Sequence, residues 1–95
     1  MEMLVAHTVR EKTKLLGRVR RIRGQMEALE RAIETEIGCT DVLQLIASVR
    51  GAVNGLMGEV MEDHVRYHVT APALSGKERA HGAEELIEVV RAYLK

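Results

Sequence analysis

The sequence predicts an all-α chain of three helices, which closes a core only by pairing with a second copy into an antiparallel four-helix bundle. Three observations predict this. Two long segments carry apolar residues in the same 4-3-4-3-4 rhythm, the repeat of a helical seam and not the alternation of a strand. The 95 residues include no Phe or Trp and only Tyr67 and Tyr93, so aliphatic side chains of smaller buried area must build the core. A chain of this length already buries a modest share of its surface, and another copy is the nearest source of further apolar burial.

The elements follow in order. Residues 1–8 read as a flexible N-terminal arm of a single domain spanning 1–95. The first helix is expected from about Val9 to about Glu36, with Thr8 placed to cap it and the seam Leu15, Val19, Ile22, Met26, Leu29 and Ile33. Gly38 is expected to break it. The second helix should start near Thr40 or Asp41 and run to about Val69, with the seam Val42, Ile46, Val49, Val53, Leu56 and Val60. Leu43, Leu45, Met57 and Met61 widen that face, so this helix is expected to be buried on more than one side. Gly51, Gly55 and Gly58 lie inside it. Each costs about 1 kcal/mol of helix stability relative to Ala, which predicts a close helix–helix approach along that face. Pro72 marks the next break, within Thr70–Gly76. The last helix is expected from about Lys77 to about Leu94, with Leu86, Val90 and Tyr93 together with Ile87 and Leu94 on one side, packed outside the bundle.

Formal net charge is zero, but the charge is segregated. Between Arg10 and Arg23 there are seven basic residues against one acid, Glu11, so this segment carries +6 and the remainder −6. On a helix Lys14, Arg18 and Arg21 share one stripe, with Arg20 and Arg23 on the other flank. Such a stripe is either a solvated face or a set of phosphate contacts. Its repetition around a symmetric oligomer favours double-stranded DNA. No run of 18 apolar residues and no signal-like segment is visible, so a cytoplasmic protein with no membrane association is expected.

Asp63-His64-Val65-Arg66-Tyr67-His68 places two histidines at i and i+4, where both imidazoles can reach one ion. A pair of surface histidines near a helix end is the plainer alternative. The single cysteine, Cys39, lies at the start of the same helix, where the dipole favours a thiolate; a buried small thiol is its plainer alternative. Twenty-five residues separate Cys39 from His64, about 37 Å at 1.5 Å per residue. They cannot share an ion within one chain, but in an antiparallel homodimer the start of one second helix lies beside the end of the other. His7, on the arm, could supply a fourth ligand, whereas His81 reads as a surface residue. One thiolate with two or three imidazoles suits Zn(II), or Ni(II) or Co(II) if groups of the arm raise the coordination number, and argues against copper(I).

These residues together resemble the CsoR/RcnR family of transcriptional repressors. The resemblance is carried by His7-Thr8-Val9-Arg10-Glu11-Lys12, Arg18-Val19-Arg20-Arg21-Ile22-Arg23-Gly24-Gln25, Cys39, Val49-Arg50-Gly51-Ala52-Val53-Asn54-Gly55-Leu56-Met57, His64 and the closing Val90-Arg91-Ala92-Tyr93-Leu94-Lys95. It implies an all-α homotetramer, a dimer of dimers, that binds operator DNA without effector and releases it on effector binding. It implies no enzymatic activity. The ligand fingerprint His7, Cys39, His64 and His68 is similar to the nickel/cobalt branch, whose members derepress metal-efflux genes. The copper branch would carry Cys at position 68. The formaldehyde-responsive branch, acting through Cys39, is the alternative; it carries a proline where this chain has Ala6. Arg18 and Arg21 match basic DNA-contacting positions, and Lys14 extends the stripe. In one respect the chain departs from the nickel/cobalt pattern: six residues precede His7, which sets the N-terminal amine back from the ion.

Overall fold

The computed structural model describes Val9 and residues 11–94. It contains three α-helices, α1 (Lys12–Glu34), α2 (Cys39–His68) and α3 (Gly76–Tyr93), and no strand among the described residues. The expected helices are all present. Thr8 and the arm lie outside the described residues. Two compact units result: residues 12–57, and residues 58–94 together with Glu11; α2 runs through both.

In the first unit α1 and the opening turns of α2 form an antiparallel hairpin. Gln25 Nε2 lies 3.5 Å from Ser48 Oγ. The reversal is made by Glu36 and not by Gly38. Glu36 has φ 58°, and no described glycine has positive φ. Around it the Ile37 N–H bonds Ala32 O at 3.1 Å and the Glu36 N–H bonds Ile33 O at 3.1 Å. This is the pair of bonds that closes a helix through a left-handed residue. Thr35 Oγ1 adds a bond to Arg31 O at 2.8 Å. Two donors that would otherwise lack carbonyl partners thus hold a glutamate where glycine is the usual occupant, and α1 ends two residues earlier than expected.

The seams are only half covered. Leu15, Ile22 and Leu29 of α1 and Val42, Val49 and Leu56 of α2 are half-buried. The intervening seam residues Val19, Met26, Ile33, Ile46 and Val53 are exposed, Ile33 to 57%. Along α1 and as far as Leu56 of α2, alternate seam positions are covered within the chain and the others left outside, whereas Val60 is half-buried like Leu56. The close approach expected along Gly51, Gly55 and Gly58 is not made among the described residues. A Cβ at Gly51 or Gly58 would meet nothing within 4 Å, and one at Gly55 only the guanidinium tip of Arg18, at 3.3 Å.

In the second unit α3 folds back onto the end of α2 through a strapped turn. Thr70 Oγ1 and its N–H both bond Val65 O, at 3.2 and 2.9 Å. The Arg79 guanidinium donates to three carbonyls, Leu74 at 3.3 Å and Val69 and Pro72 at 3.4 Å each. Ser75 then caps α3. The Ser75 hydroxyl accepts from the Glu78 N–H at 3.1 Å, and the Glu78 carboxylate accepts from the Ser75 N–H at 2.8 Å. This reciprocal box satisfies two donors at the helix start, which is why α3 begins at Gly76, one residue earlier than expected. The backbone N–H of Ser75, and then its hydroxyl, hold the Glu78 carboxyl below the usual glutamate range. The stabilisation from this bond is complete above the ordinary glutamate range and is lost as pH falls through the lowered value.

Relieving the left-handed glutamate should stabilise the hairpin. Glu36→Gly is expected to raise the unfolding free energy by about 1 kcal/mol, the scale of the penalty a Cβ incurs in that region, measured by urea denaturation.

Candidate functional site

The last two turns of α2 bring together the groups singled out from sequence. His64 and His68 stack on one face with ring centroids 4.9 Å apart and planes at 41°. Their side chains are walled in. His68 is 4% exposed, and Asp63, beside His64 in sequence, is 2% exposed. The plainer reading of the pair as surface histidines is thus overturned.

What walls them in is α3, through a residue that sequence reasoning passed over. Gly82 is buried against the last turn of α2, and a Cβ there would run into the backbone carbonyl of His68. Its own carbonyl lies 2.8 Å from His64 Nε2. One turn further along α3, Glu85 stands between two histidines, with Oε1 3.8 Å from His64 Nε2 and Oε2 3.5 Å from His81 Nε2. His81 itself is a surface side chain, 60% exposed, as its position in the sequence indicated. Nothing in the spacing of α3 alone points at His64. The signal that was available was a glycine inside an otherwise regular helix, which often marks a close approach.

Two further bonds fix this turn. Arg66 Nη1 donates to Asp63 Oδ1 at 3.3 Å. The Tyr67 hydroxyl, between the two histidines in sequence, donates to Glu11 Oε1 at 3.3 Å. Glu11 immediately precedes α1 in sequence and belongs to the same compact unit as the end of α2.

Cys39 is the first residue of α2 and is exposed, so the alternative of a buried thiol does not hold within the chain. It occupies the opposite end of the helix from His64 and His68. Among the described residues no three His, Cys, Asp or Glu side chains converge as a metal site. His7, the fourth residue of the expected ligand set, lies outside the described residues. On α1, Lys14, Arg18 and Arg21 are exposed, as are Arg20 and Arg23. The described part of the basic segment is thus a surface. No described helix is long and apolar enough to cross a membrane.

An all-α chain with paired, enclosed imidazoles at one end of a long helix and a basic preceding helix has the outline of a helical regulator. The comparisons with known proteins agree. Residues 11–92 match the family described as metal-sensitive transcriptional repressor. Transcriptional repressor RcnR of Citrobacter koseri is 40% identical over 91 residues, covering 96% of this chain and 100% of that one. A protein of Serratia marcescens, described by its place in the bioA 5′ region, is 54% identical over 91 residues with the same coverage, 96% and 100%. Among solved structures, a variant of the formaldehyde-responsive regulator FrmR from Salmonella enterica serovar Typhimurium is 48% identical with a TM-score of 0.79, covering 88% of this chain and 94% of that chain. The chain belongs to the metal-sensitive transcriptional repressor family, the CsoR/RcnR family. That family is one of repressors and not of enzymes.

Removing the Tyr67 hydroxyl tests the strap. Tyr67→Phe should lower stability by about 1 kcal/mol, the net worth of one half-buried hydrogen bond, read as a shifted denaturation midpoint.

Proposed function

We propose that the protein is a derepressor working as one DNA-binding sensor domain in the cytoplasm. Without metal, a homodimer or homotetramer holds double-stranded operator DNA through Lys14, Arg18 and Arg21. Ni(II) or Co(II) then binds Cys39 of one protomer together with the partner's His64 and His68, with His7 as a further donor, and the DNA is released. The released genes encode metal efflux. Zn(II) fits the same donors.

The observation that carries this reading is the placement of the donors on α2. Two imidazoles are enclosed side by side at its end, and an exposed thiol stands at its start. A borderline divalent ion takes a thiolate and imidazoles together, and only a second chain running the other way supplies both. The exposed seam supports the same pairing. Cys39 stands seven residues before Ile46 and fourteen before Val53, on one heptad stripe, and both of these apolar side chains are exposed, to 45% and 44%. A partner that covers this stripe lies beside the thiol. When bound, the ion supplies a positive centre that draws these donors together. The chain's residues hold the two rings at one point and keep water from them.

A second reading is favoured by the likeness to the FrmR variant and by the exposure of Cys39. In that reading formaldehyde reacts at the Cys39 thiol and the same conformational release follows. Mass spectrometry after formaldehyde exposure separates the two: an adduct or crosslink at Cys39 that accompanies DNA release supports this reading. Its absence, with release by nickel or cobalt, supports the first.

Two outcomes test the proposal. Cys39→Ala and His64→Ala proteins should each fail to release operator DNA on nickel or cobalt addition. When equal amounts are co-refolded, random pairing should restore about a quarter of the wild-type sites, because each mixed dimer regains one intact site. Recovery of none would overturn the site shared between protomers. Separately, Arg18→Ala should weaken DNA binding whatever the sequence and flatten the log affinity–log salt slope by about one unit per lost phosphate contact, measured by fluorescence anisotropy.

A further inference from the structure

Opposite its seam, α1 presents bare backbone at two places. A helix turns by about 100° per residue. With Leu15, Val19, Ile22 and Met26 on one side, Gly17 and Gly24 fall at the middle of the other, about 10 Å apart along the axis. Both glycines are exposed, and a Cβ on either would meet nothing within 4 Å. No packing among the described residues therefore requires them, although alanine is the better helix former at both places. Arg20 flanks their line on one side and Arg21 on the other, both exposed. Arg23 stands behind Arg20, and Lys14 behind Arg21. From Lys12 to Arg23 there is no acid, and Glu27 is the first one beyond Gly24. Among the described residues neither Arg20 nor Arg21 is taken up by an ion pair or hydrogen bond. The outward side of α1 is thus a shallow furrow, floored by backbone and walled by cations.

We propose that this furrow seats one phosphodiester strand of double-stranded DNA, with Gly17 and Gly24 as the points of closest approach and Arg20 and Arg21 gripping the strand from either side. The proposal rests on the DNA-binding reading above and deepens it: it fixes which side of α1 meets the duplex and adds three residues to the contact. Charge selects the occupant. The α1 of a second copy would bring like charges together, whereas a strand of phosphates answers both walls. Glycine inside a helix costs stability and is used where another backbone must come close. The N–H groups of a helix interior are spent on its own ladder, so the glycines contribute room and not bonds. Room decides how the guanidinium forks meet the phosphate, since a bidentate pair needs two oxygens within reach at once. A methyl group on the floor lifts the strand and breaks that fit. Such contacts position the duplex and carry no base information.

Binding of a fluorescein-labelled, mixed-sequence duplex of about 30 base pairs at low salt, where phosphate contacts supply nearly all the affinity, provides the test. The whole metal-free protein is used. Gly17→Ala and Gly24→Ala should each weaken binding about 10-fold, the scale of one charge-assisted hydrogen bond. Each should also raise the urea midpoint, because alanine favours the helix. That opposition of signs is the signature, since a glycine with only a structural role would not weaken binding while the fold gains stability. Arg20→Ala should flatten the log affinity–log salt slope by about one unit, as should Arg21→Ala. Alanine variants of either glycine that bind as wild type, or an Arg20→Ala slope equal to that of wild type, overturn the proposal while the DNA-binding reading stands. A wild type that binds no duplex overturns both. Glycine variants whose sedimentation shows a changed oligomer without DNA also overturn it, since the furrow would then hold a protein surface.

Discussion

Each long helix of this chain has more seam than one molecule can cover, and much else follows from that excess. Leu15, Ile22, Val49 and Leu56 are half-buried, while Val19, Met26, Ile46 and Val53 face outward. With no Phe or Trp, no large side chain folds over to hide them. Only Ala32 and Leu74 are buried among the described apolar residues. In the proposed reading these exposed aliphatic rows are the surface that a second copy covers. Because Cys39 shares the heptad stripe of Ile46 and Val53, whatever covers them also approaches the thiol. In the proposed reading stability and sensing therefore draw on one contact.

Helix number, helix order and the two seams were legible because periodicity is a long-range signal, summed over some twenty residues and tolerant of any one of them. The pairing of His64 with His68 was legible for the same reason, since i and i+4 must meet on a helix. What escaped was local and depended on the backbone. Gly38 was the obvious helix breaker, yet Glu36 takes the left-handed conformation, because the Ile37 and Glu36 N–H groups find their carbonyls there. The box of Ser75 and Glu78 was present in the sequence as a serine three residues ahead of a glutamate, a signature that could have placed the start of α3. The bonds of Arg79 to Val69, Pro72 and Leu74 have no such signature.

Glycine shows the same division. Three glycines on α2 drew attention as a packing face, and among the described residues a Cβ on two of them would meet nothing within 4 Å. A single glycine on α3 makes the tightest approach of any described glycine. Spacing announced the first set, whereas the second depends on how α3 returns along α2, which composition does not encode. The site itself divides likewise. Its ligand-type residues could be read from their chemistry, but the elements behind them, Gly82 and Glu85, come from a helix with no marked motif.

The scarcity of aromatic residues has one more consequence. With tryptophan absent, the near-ultraviolet emission of the protein comes from two phenols. Tyr93 is 72% exposed, while Tyr67 is half-buried, lies between the two stacked histidines in sequence and is bonded to Glu11. Anything that settles on His64 and His68 arrives beside one emitter and far along the chain from the other. The fold thus contains a native optical gauge of that corner, legible without a label.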